Sequence, residues 1–170
     1  MHTYVPAWGP DHFWARDPMF DFLRRVITVR EGGEMKYIVS YIVCAVVMGC
    51  LDFLWLTNMV GAVYRPAIGT LLAEKPNMTA AISFYLLYIV GIQIFAVRPA
   101  LMGGDWTSAT LYGALFGFFA FATYDLTNQA TLKVWSLKVS LIDMAWGTFL
   151  TGVTATAGAY AAIKVIAYWK

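Results

Sequence analysis

Three aspartates within otherwise apolar stretches are the residues of this sequence best suited to chemistry. Asp52 lies late in one apolar stretch, Asp125 near the end of another, and Asp143 near the start of the last. A carboxyl group in hydrocarbon is costly, so each should face other helices or a wet cavity. Carboxyl groups held close together cannot all stay ionised, and one can then act as a general acid or base. Asp52, Asp125 and Asp143 are therefore the candidate catalytic residues.

Several polar and aromatic side chains accompany these aspartates. Arg65 is the nearest candidate counter-ion and could anchor a phosphate or a carboxylate. Tyrosine combines a hydroxyl with an apolar ring, which suits a pocket for a lipid headgroup. A structural alternative stays open, because Asp, Tyr and Asn also cap helices and join them by hydrogen bonds. The candidate substrate-binding residues are Arg65, Tyr64, Tyr85, Tyr88, Tyr124, Asn128 and Trp146.

The sequence gives little sign of a metal, cofactor or nucleic-acid site. Carboxylates could hold magnesium or calcium, but no Glu or His joins the aspartates within the apolar segments, so we expect no metal and no cofactor. His2 and His12 precede the first apolar segment, which excludes His-based zinc sites and Ser-His triads from the core. No basic run interleaved with aromatic residues indicates nucleic-acid binding. Cys44 and Cys50 face different sides of one helix and are interpreted as packing residues.

The elements that must position these residues are membrane helices. The 170 residues are 60% hydrophobic and 13% charged, whereas soluble domains carry about 25% charged residues. Four apolar segments, at about residues 37–59, 79–97, 106–126 and 137–166, can each cross a bilayer about 30 Å thick. Short loops make neighbouring segments antiparallel. The predicted fold class is therefore all-α, a polytopic antiparallel bundle of four transmembrane helices.

Small residues in the last two segments predict where helices pack. Gly113 and Gly117 lie four apart in the third segment, and Gly147 begins a stripe of small residues in the fourth. In membrane helices this spacing lets two backbones approach closely. Antiparallel threading also brings the three aspartates to the same face of the membrane. We therefore predict a polar cavity in one leaflet.

Residues 1–34 differ from the membrane domain predicted for residues 35–170. Asp17-Pro18 suits the start of a helix, and the apolar spacing that follows predicts a short amphipathic helix in the membrane surface. Gly32-Gly33 should end that helix. Two alternatives stay open, a mobile tail and a protein that really starts at Met35.

Lysine and arginine counts bear on the orientation. The side with the termini carries eight of these residues and the other side four, which favours cytoplasmic termini and places the polar cavity in the outer leaflet. Without residues 1–34 the two sides carry four each. The predicted location is the bacterial inner membrane, with both termini in the cytoplasm.

The motifs around these residues resemble a known family. They are Leu51–Leu56, Phe84–Gly91, Gly113–Gly117, Tyr124–Asn128 and Asp143–Gly147. Over about Met35–Tyr168 the chain resembles the small bacterial inner-membrane proteins catalogued as domain of unknown function 2177. The resemblance implies four spans and a bacterial membrane, but no mechanism. Members usually begin near Met35-Lys36, so the N-terminal extension departs from the family pattern.

Three classes of function remain. The first is a small membrane enzyme or lipid-binding protein that acts on a lipid or lipid-soluble substrate, with Asp125 and Asp143 handling protons and Arg65 holding a headgroup. The second is a proton-coupled carrier of small solutes, which with so few spans would be a homodimer packed through Gly113 and Gly117. The third is a structural or assembly subunit of a larger membrane complex. The sequence ranks them in this order and leaves open whether the protein is an enzyme.

Overall fold

The structure, a computed structural model, consists of long helices. It describes residues 18–103 and 105–168, with side chains from Gly33 onward, and these residues contain no strand. The all-α prediction is therefore confirmed. The helices are α1 (Pro18–Met59), α2 (Arg65–Ile68), α3 (Met78–Ile92), α4 (Arg98–Gly103), α5 (Trp106–Thr131) and α6 (Leu137–Tyr168).

Three helical segments within the described residues are long and apolar enough to cross a membrane. They are Gly33–Leu71, Met78–Gly103 and Leu137–Tyr168. Helix α5 has 26 residues but does not join this group, because its threonines, glycines and Asp125 dilute its apolar content. The fourth predicted span, and with it the four-span bundle, stays a prediction.

Two π-helical segments interrupt the helices at matching positions before proline. Val60–Tyr64 precedes Pro66, and Gln93–Val97 precedes Pro99. Proline has no N–H to donate, and its ring clashes with the carbonyl four residues earlier. In both cases that carbonyl lies within the π-helical segment, where the wider turn makes room for the ring. Such segments often occur at functional sites, and here the first one carries Tyr64.

The helices extend further than the sequence indicated. Gly32-Gly33 does not end a helix as predicted, because α1 continues through both glycines; a helix interior tolerates glycine at a cost of about 1 kcal/mol. After Met59, where a loop was expected, helical structure continues to Leu71. The proposed cap at Asp17 and the rest of residues 1–17 lie outside the described residues. So do the side chains of residues 18–32, on which the amphipathic surface helix depends.

Helix α6 lies at the centre of the packing. It packs against both α5 and α1, while α3 and the π-helical segment Gln93–Val97 complete the core. Most residues that α6 buries are small, among them Gly152, Ala155 and Ala159. Large apolar side chains such as Leu87, Phe119 and Phe53 remain exposed on the outside. An apolar outer surface around a small-residue interior is typical of helices packed in a membrane.

Candidate ligand cavity

A cavity of about 690 Å³ lies among α1, α3, α5 and α6. Aromatic rings form much of its wall, and Asp52, Asp143, Glu74 and Arg65 are the charged residues in its lining. We call it the aromatic cavity. The aromatic residues that line it are Trp55, Tyr64, Phe84, Tyr85, Tyr88, Phe121, Tyr124, Trp135 and Trp146.

Asp52 joins three helices inside this cavity. Its carboxylate accepts a hydrogen bond from the hydroxyl of Tyr85 on α3. It also accepts one from Nε1 of Trp146 on α6, at 3.1 Å. Each carboxylate oxygen therefore has a donor from a different helix. The antiparallel threading predicted from the sequence does bring these three residues together.

Asp143 is held by a chain of neutral donors. The hydroxyl of Tyr64, at the end of the first π-helical segment, donates to Oδ1 of Asp143. Tyr64 in turn accepts a hydrogen bond from Nε1 of Trp55 at 2.9 Å. The ring of Trp55 stacks on Trp146 with centroids 4.1 Å apart and planes 7° from parallel. Because Trp146 also binds Asp52, one connected network of rings and hydrogen bonds holds both carboxylates.

No cation pairs with either carboxylate among the residues that the structure describes. The hydrogen bonds to Asp52 and Asp143 come from tyrosine and tryptophan alone. Arg65, the predicted counter-ion, lines the same cavity but is exposed and makes no ion pair within the described part of the chain. The arrangement leaves two acidic groups with neutral donors only, and a basic group placed apart from them.

Asp125 lies apart from the aromatic cavity. It is fully buried on α5, and neither carboxylate oxygen has a hydrogen-bond partner among the described residues. The contacts of Gly117 with Gly147 and of Gly113 with Ala155 set the α5–α6 register, which places Asp125 beside the first turns of α6. Asp143 is the acidic group that acts on it electrostatically. The three predicted catalytic aspartates therefore divide into a cavity pair and one separate buried residue.

The remaining predicted binding residues are distributed unevenly. Tyr88 is 8% exposed and its hydroxyl bonds Oγ1 of Thr151 at 2.9 Å. Tyr124 is 62% exposed and packs edge-on against Trp135 at the cavity wall. Asn128 does not line the cavity. The cavity therefore contains every predicted substrate-binding residue except Asn128.

The predicted packing glycines lie where α5 and α6 are closest. A Cβ added to Gly117 would lie 2.1 Å from the carbonyl oxygen of Gly147, and one added to Gly113 would lie 2.6 Å from the Cβ of Ala155. At Gly147 an added Cβ would meet the ring of Phe121 at 2.2 Å. None of these positions has room for a side chain. They fix the spacing of the two helices that carry Asp125 and Asp143.

Sequence reasoning missed several residues of the cavity. Trp55 was not among the predicted site residues, although it follows Asp52 by three positions, a spacing that places both on one face of a helix. Glu74 and Trp135 lie in loops, where helical spacing gives no guide. Thr151 was recognised as a packing residue, but its bond to Tyr88 depends on the α3–α6 register. For metal ligation, the described residues contain no cluster of three or more His, Cys, Asp or Glu side chains that could hold an ion.

The helices and the cavity define a class, that of helical membrane proteins with a polar and aromatic cavity between their helices. The family described as "Predicted membrane protein (DUF2177)" matches residues 37–160. The chain belongs to this DUF2177 family. No curated protein and no solved structure matches the chain. The resemblance noted in the sequence is thereby confirmed, and the function has to be argued from the site itself.

Proposed function

We propose that this protein binds a lipid or another lipid-soluble molecule in the aromatic cavity. The observation that carries the proposal is the lining, in which aromatic rings surround the hydrogen-bonded pair Asp52 and Asp143. Small-molecule sites occupy about 300–1,000 Å³ and combine apolar walls with a few fixed polar groups, and the cavity of about 690 Å³ falls in that range. Rings can hold an apolar body while the two carboxylates hold a polar end. This supports an amphiphilic ligand.

The surrounding helices support a location of the cavity within the membrane. We propose that α5 is a fourth span, because 26 residues extend roughly 39 Å at 1.5 Å per residue, more than the hydrocarbon thickness. Its outer face carries exposed Leu111, Leu115 and Phe119, and it packs along α6, itself a candidate span. A bacterial inner membrane, with cytoplasmic termini and the cavity in the outer leaflet, is part of the same proposal.

Binding is better supported than a particular reaction. Both oxygens of Asp52 and one oxygen of Asp143 already accept hydrogen bonds from the protein. Such groups are well placed to recognise a ligand, and the tyrosine–carboxylate pairs by themselves define no reaction. The proton-coupled carrier has one observation in its favour, the buried Asp125, whose carboxylate has no hydrogen-bond partner among the described residues. That residue lies outside the cavity, so we place this function second.

The experiment fills the cavity without touching its charged groups. Ala120 lines the cavity, and Ala120→Leu should occupy part of its volume. Ala145→Leu is the matched control, because Ala145 is exposed on α6 and absent from the lining. Native mass spectrometry of protein purified in mild detergent measures the molecules that remain bound. We expect a retained lipid-soluble molecule in the unaltered protein and in Ala145→Leu, and a clear loss in Ala120→Leu.

Two results would contradict binding in this cavity. One is equal retention of the same molecule by both variants, with Ala120→Leu still folded by its thermal midpoint. The other is an unaltered protein that retains no molecule and gains no stability from added membrane lipids. The second result would favour a structural or assembly subunit, whose stability should depend on partner proteins instead.

A further inference from the structure

We propose that the ligand of the aromatic cavity is an amphiphile whose polar end is a protonated or quaternary amine, bound by Asp52 and Asp143. This inference rests on the proposed function and names the chemical class of its ligand. It starts from the charges in the lining, which are three acidic residues, Asp52, Asp143 and Glu74, against one basic residue, Arg65. The lining is therefore acidic by two formal charges.

The hydrogen bonds around the two aspartates leave this charge uncompensated. Tyr64, Tyr85 and Trp146 donate to the carboxylates but carry no formal charge. Withdrawing a carboxylate from water is costly unless an opposite charge accompanies it. Oδ1 of Asp143 accepts the bond from Tyr64, and no bond within the described residues reaches its other oxygen. A protonated amine supplies both the missing charge and a donor for that oxygen, whereas a quaternary amine supplies the charge alone.

The rings near the carboxylates favour the same ligand. Trp55 and Trp146 stack beside both acids, and the rings of Tyr64 and Tyr85 carry the hydroxyls that bind them. The face of an aromatic ring attracts a cation through its quadrupole, and tryptophan does so most strongly. An ammonium group in this cavity is therefore attracted both by the aromatic rings and by the carboxylates. A neutral hydroxyl can donate to a carboxylate, as Tyr64 and Tyr85 do, but it supplies no positive charge to the acids or to the ring faces.

The charge of Arg65 favours an anionic headgroup less strongly than the carboxylates and rings favour a cationic one. It is an exposed residue of the lining, so water and salt screen its charge. An anion drawn to Arg65 would also share the cavity with Asp52, Asp143 and Glu74, which repel it. Placing an amine between the aspartates and an apolar chain along Phe121 and Tyr88 avoids that repulsion.

Three probes with the same octyl chain test the charge of the polar end. They are octyltrimethylammonium, octyl phosphate and octanol, each titrated into protein in an uncharged detergent, with protein-free micelles as blank. Their binding is measured through tryptophan fluorescence, because tryptophans line the cavity. We expect the cationic probe to bind at least about tenfold more tightly than the other two, as one desolvated ion pair with ring contacts would give.

Asp143→Asn sharpens the test, because the amide oxygen can still accept the bond from Tyr64 while the charge is lost. We expect this variant to lose most of the preference for the cationic probe and to keep its thermal midpoint. Asp105→Asn is the matched control, since Asp105 lies outside the cavity lining. It should keep the full preference.

The outcomes separate the two proposals. Equal affinity for all three probes, blocked by Ala120→Leu, would overturn the amine and leave the lipid-binding cavity standing. A preference for octyl phosphate would overturn it in favour of a headgroup held by Arg65. Binding that Ala120→Leu does not affect, or no binding of any probe, would overturn both. A cationic preference equal in Asp143→Asn and the unaltered protein would also overturn the role of Asp143.

Discussion

The carboxyl groups on the two sides of helix α6 have opposite surroundings. On the side of α1 and α3, Asp52 and Asp143 lie in an open cavity, and tyrosine and tryptophan donors bind them. On the side of α5, Asp125 is fully buried, and within the described part of the chain its carboxylate accepts no hydrogen bond. The side of α1 and α3 provides a cavity and hydrogen-bond donors, whereas on the side of α5 the backbones of two helices come into contact.

The difference separates a region of close helix packing from the region in which we propose ligand binding. The α5–α6 interface depends on the absence of side chains at Gly113, Gly117 and Gly147, so it is dense and sensitive to added volume. The cavity is lined by large rings from α1, α3, α5 and α6. A change in one region should therefore have a different signature from a change in the other. The predictions below test that separation.

The largest effect is expected from Gly117→Ala. The added Cβ would lie 2.1 Å from the carbonyl oxygen of Gly147, and a backbone atom cannot move aside as a side chain can. We expect a loss of about 3 kcal/mol in the free energy of unfolding, the upper part of the usual range for overpacking. Titration with sodium dodecyl sulfate from mild detergent measures it.

Gly49→Ala is the control for this substitution. Gly49 lies in α1, and an added Cβ there would meet nothing within 4 Å. Alanine at such a helical position should be neutral or stabilise by about 0.5–1 kcal/mol. If Gly117→Ala were equally harmless, the close approach of α5 and α6 would be contradicted.

Neutralising the aspartates one at a time compares the two regions directly. Asp52 accepts two hydrogen bonds through two oxygens, and asparagine has only one acceptor oxygen, so Asp52→Asn should cost about 1–3 kcal/mol. Asp143→Asn can keep its one bond from Tyr64 and should cost less than about 1 kcal/mol. Asp125→Asn loses no bond and sheds a buried charge, so stability should be unchanged or higher. Unfolding titrations of the three variants at neutral pH give the order.

A different order of stability among the three variants would contradict a specific part of this comparison. A cost at Asp125 as large as that at Asp52 would mean that the buried carboxylate has a bonded partner, and the α5–α6 interface would then hold a polar contact. Equal stability of all three variants would mean that the hydrogen bonds around Asp52 contribute little.

The sequence was enough to predict which segments are apolar and which end of the bundle is polar. Threading alone brought Asp52, Tyr85, Asp143 and Trp146 together, because their depth within each segment can be counted. It could not separate Asp125 from the cavity. Adjacent residues of a helix differ in direction by about 100°, so the wall position of Tyr124 does not carry over to Asp125. That distinction requires the register of α5 on α6.

The ends of the helices were the second feature that could not be predicted from the sequence. Pro66 and Pro99 lie beyond the predicted ends of the first two segments, at about residues 59 and 97, and proline removes a hydrogen bond from a helix interior. The chain instead widens into a π-helical turn before each proline and continues. Whether a helix breaks or widens depends on what the neighbouring helices gain from its continuation. In the first case the continuation carries Tyr64 to Asp143, a gain that no local pattern reveals.

The smallest effect is expected at a carboxyl group outside both regions. Asp105 caps α5 and accepts hydrogen bonds from the N–H of Thr107 at 2.9 Å and from the hydroxyls of Thr107 and Ser108. The bonds from Thr107 lower the pKa of Asp105 below its ordinary value. A lowered pKa means that the folded state favours the ionised form. The cap should therefore contribute stability above the ordinary pKa of about 3.9 and lose it as the pH falls through the lower folded value.

Thermal midpoints of the unaltered protein and Asp105→Asn, measured from pH 6 down to about pH 2, test this dependence. The difference in thermal midpoint should be small, and the protein with aspartate should be the more stable at the upper end of the pH range. The difference should shrink toward zero at the lower end, because a protonated carboxyl and an amide form equivalent helix caps. A difference that stays constant with pH would mean that the charge of Asp105 adds nothing to its hydrogen bonds. Neutral donors would then hold a carboxylate at the membrane surface no better than an amide.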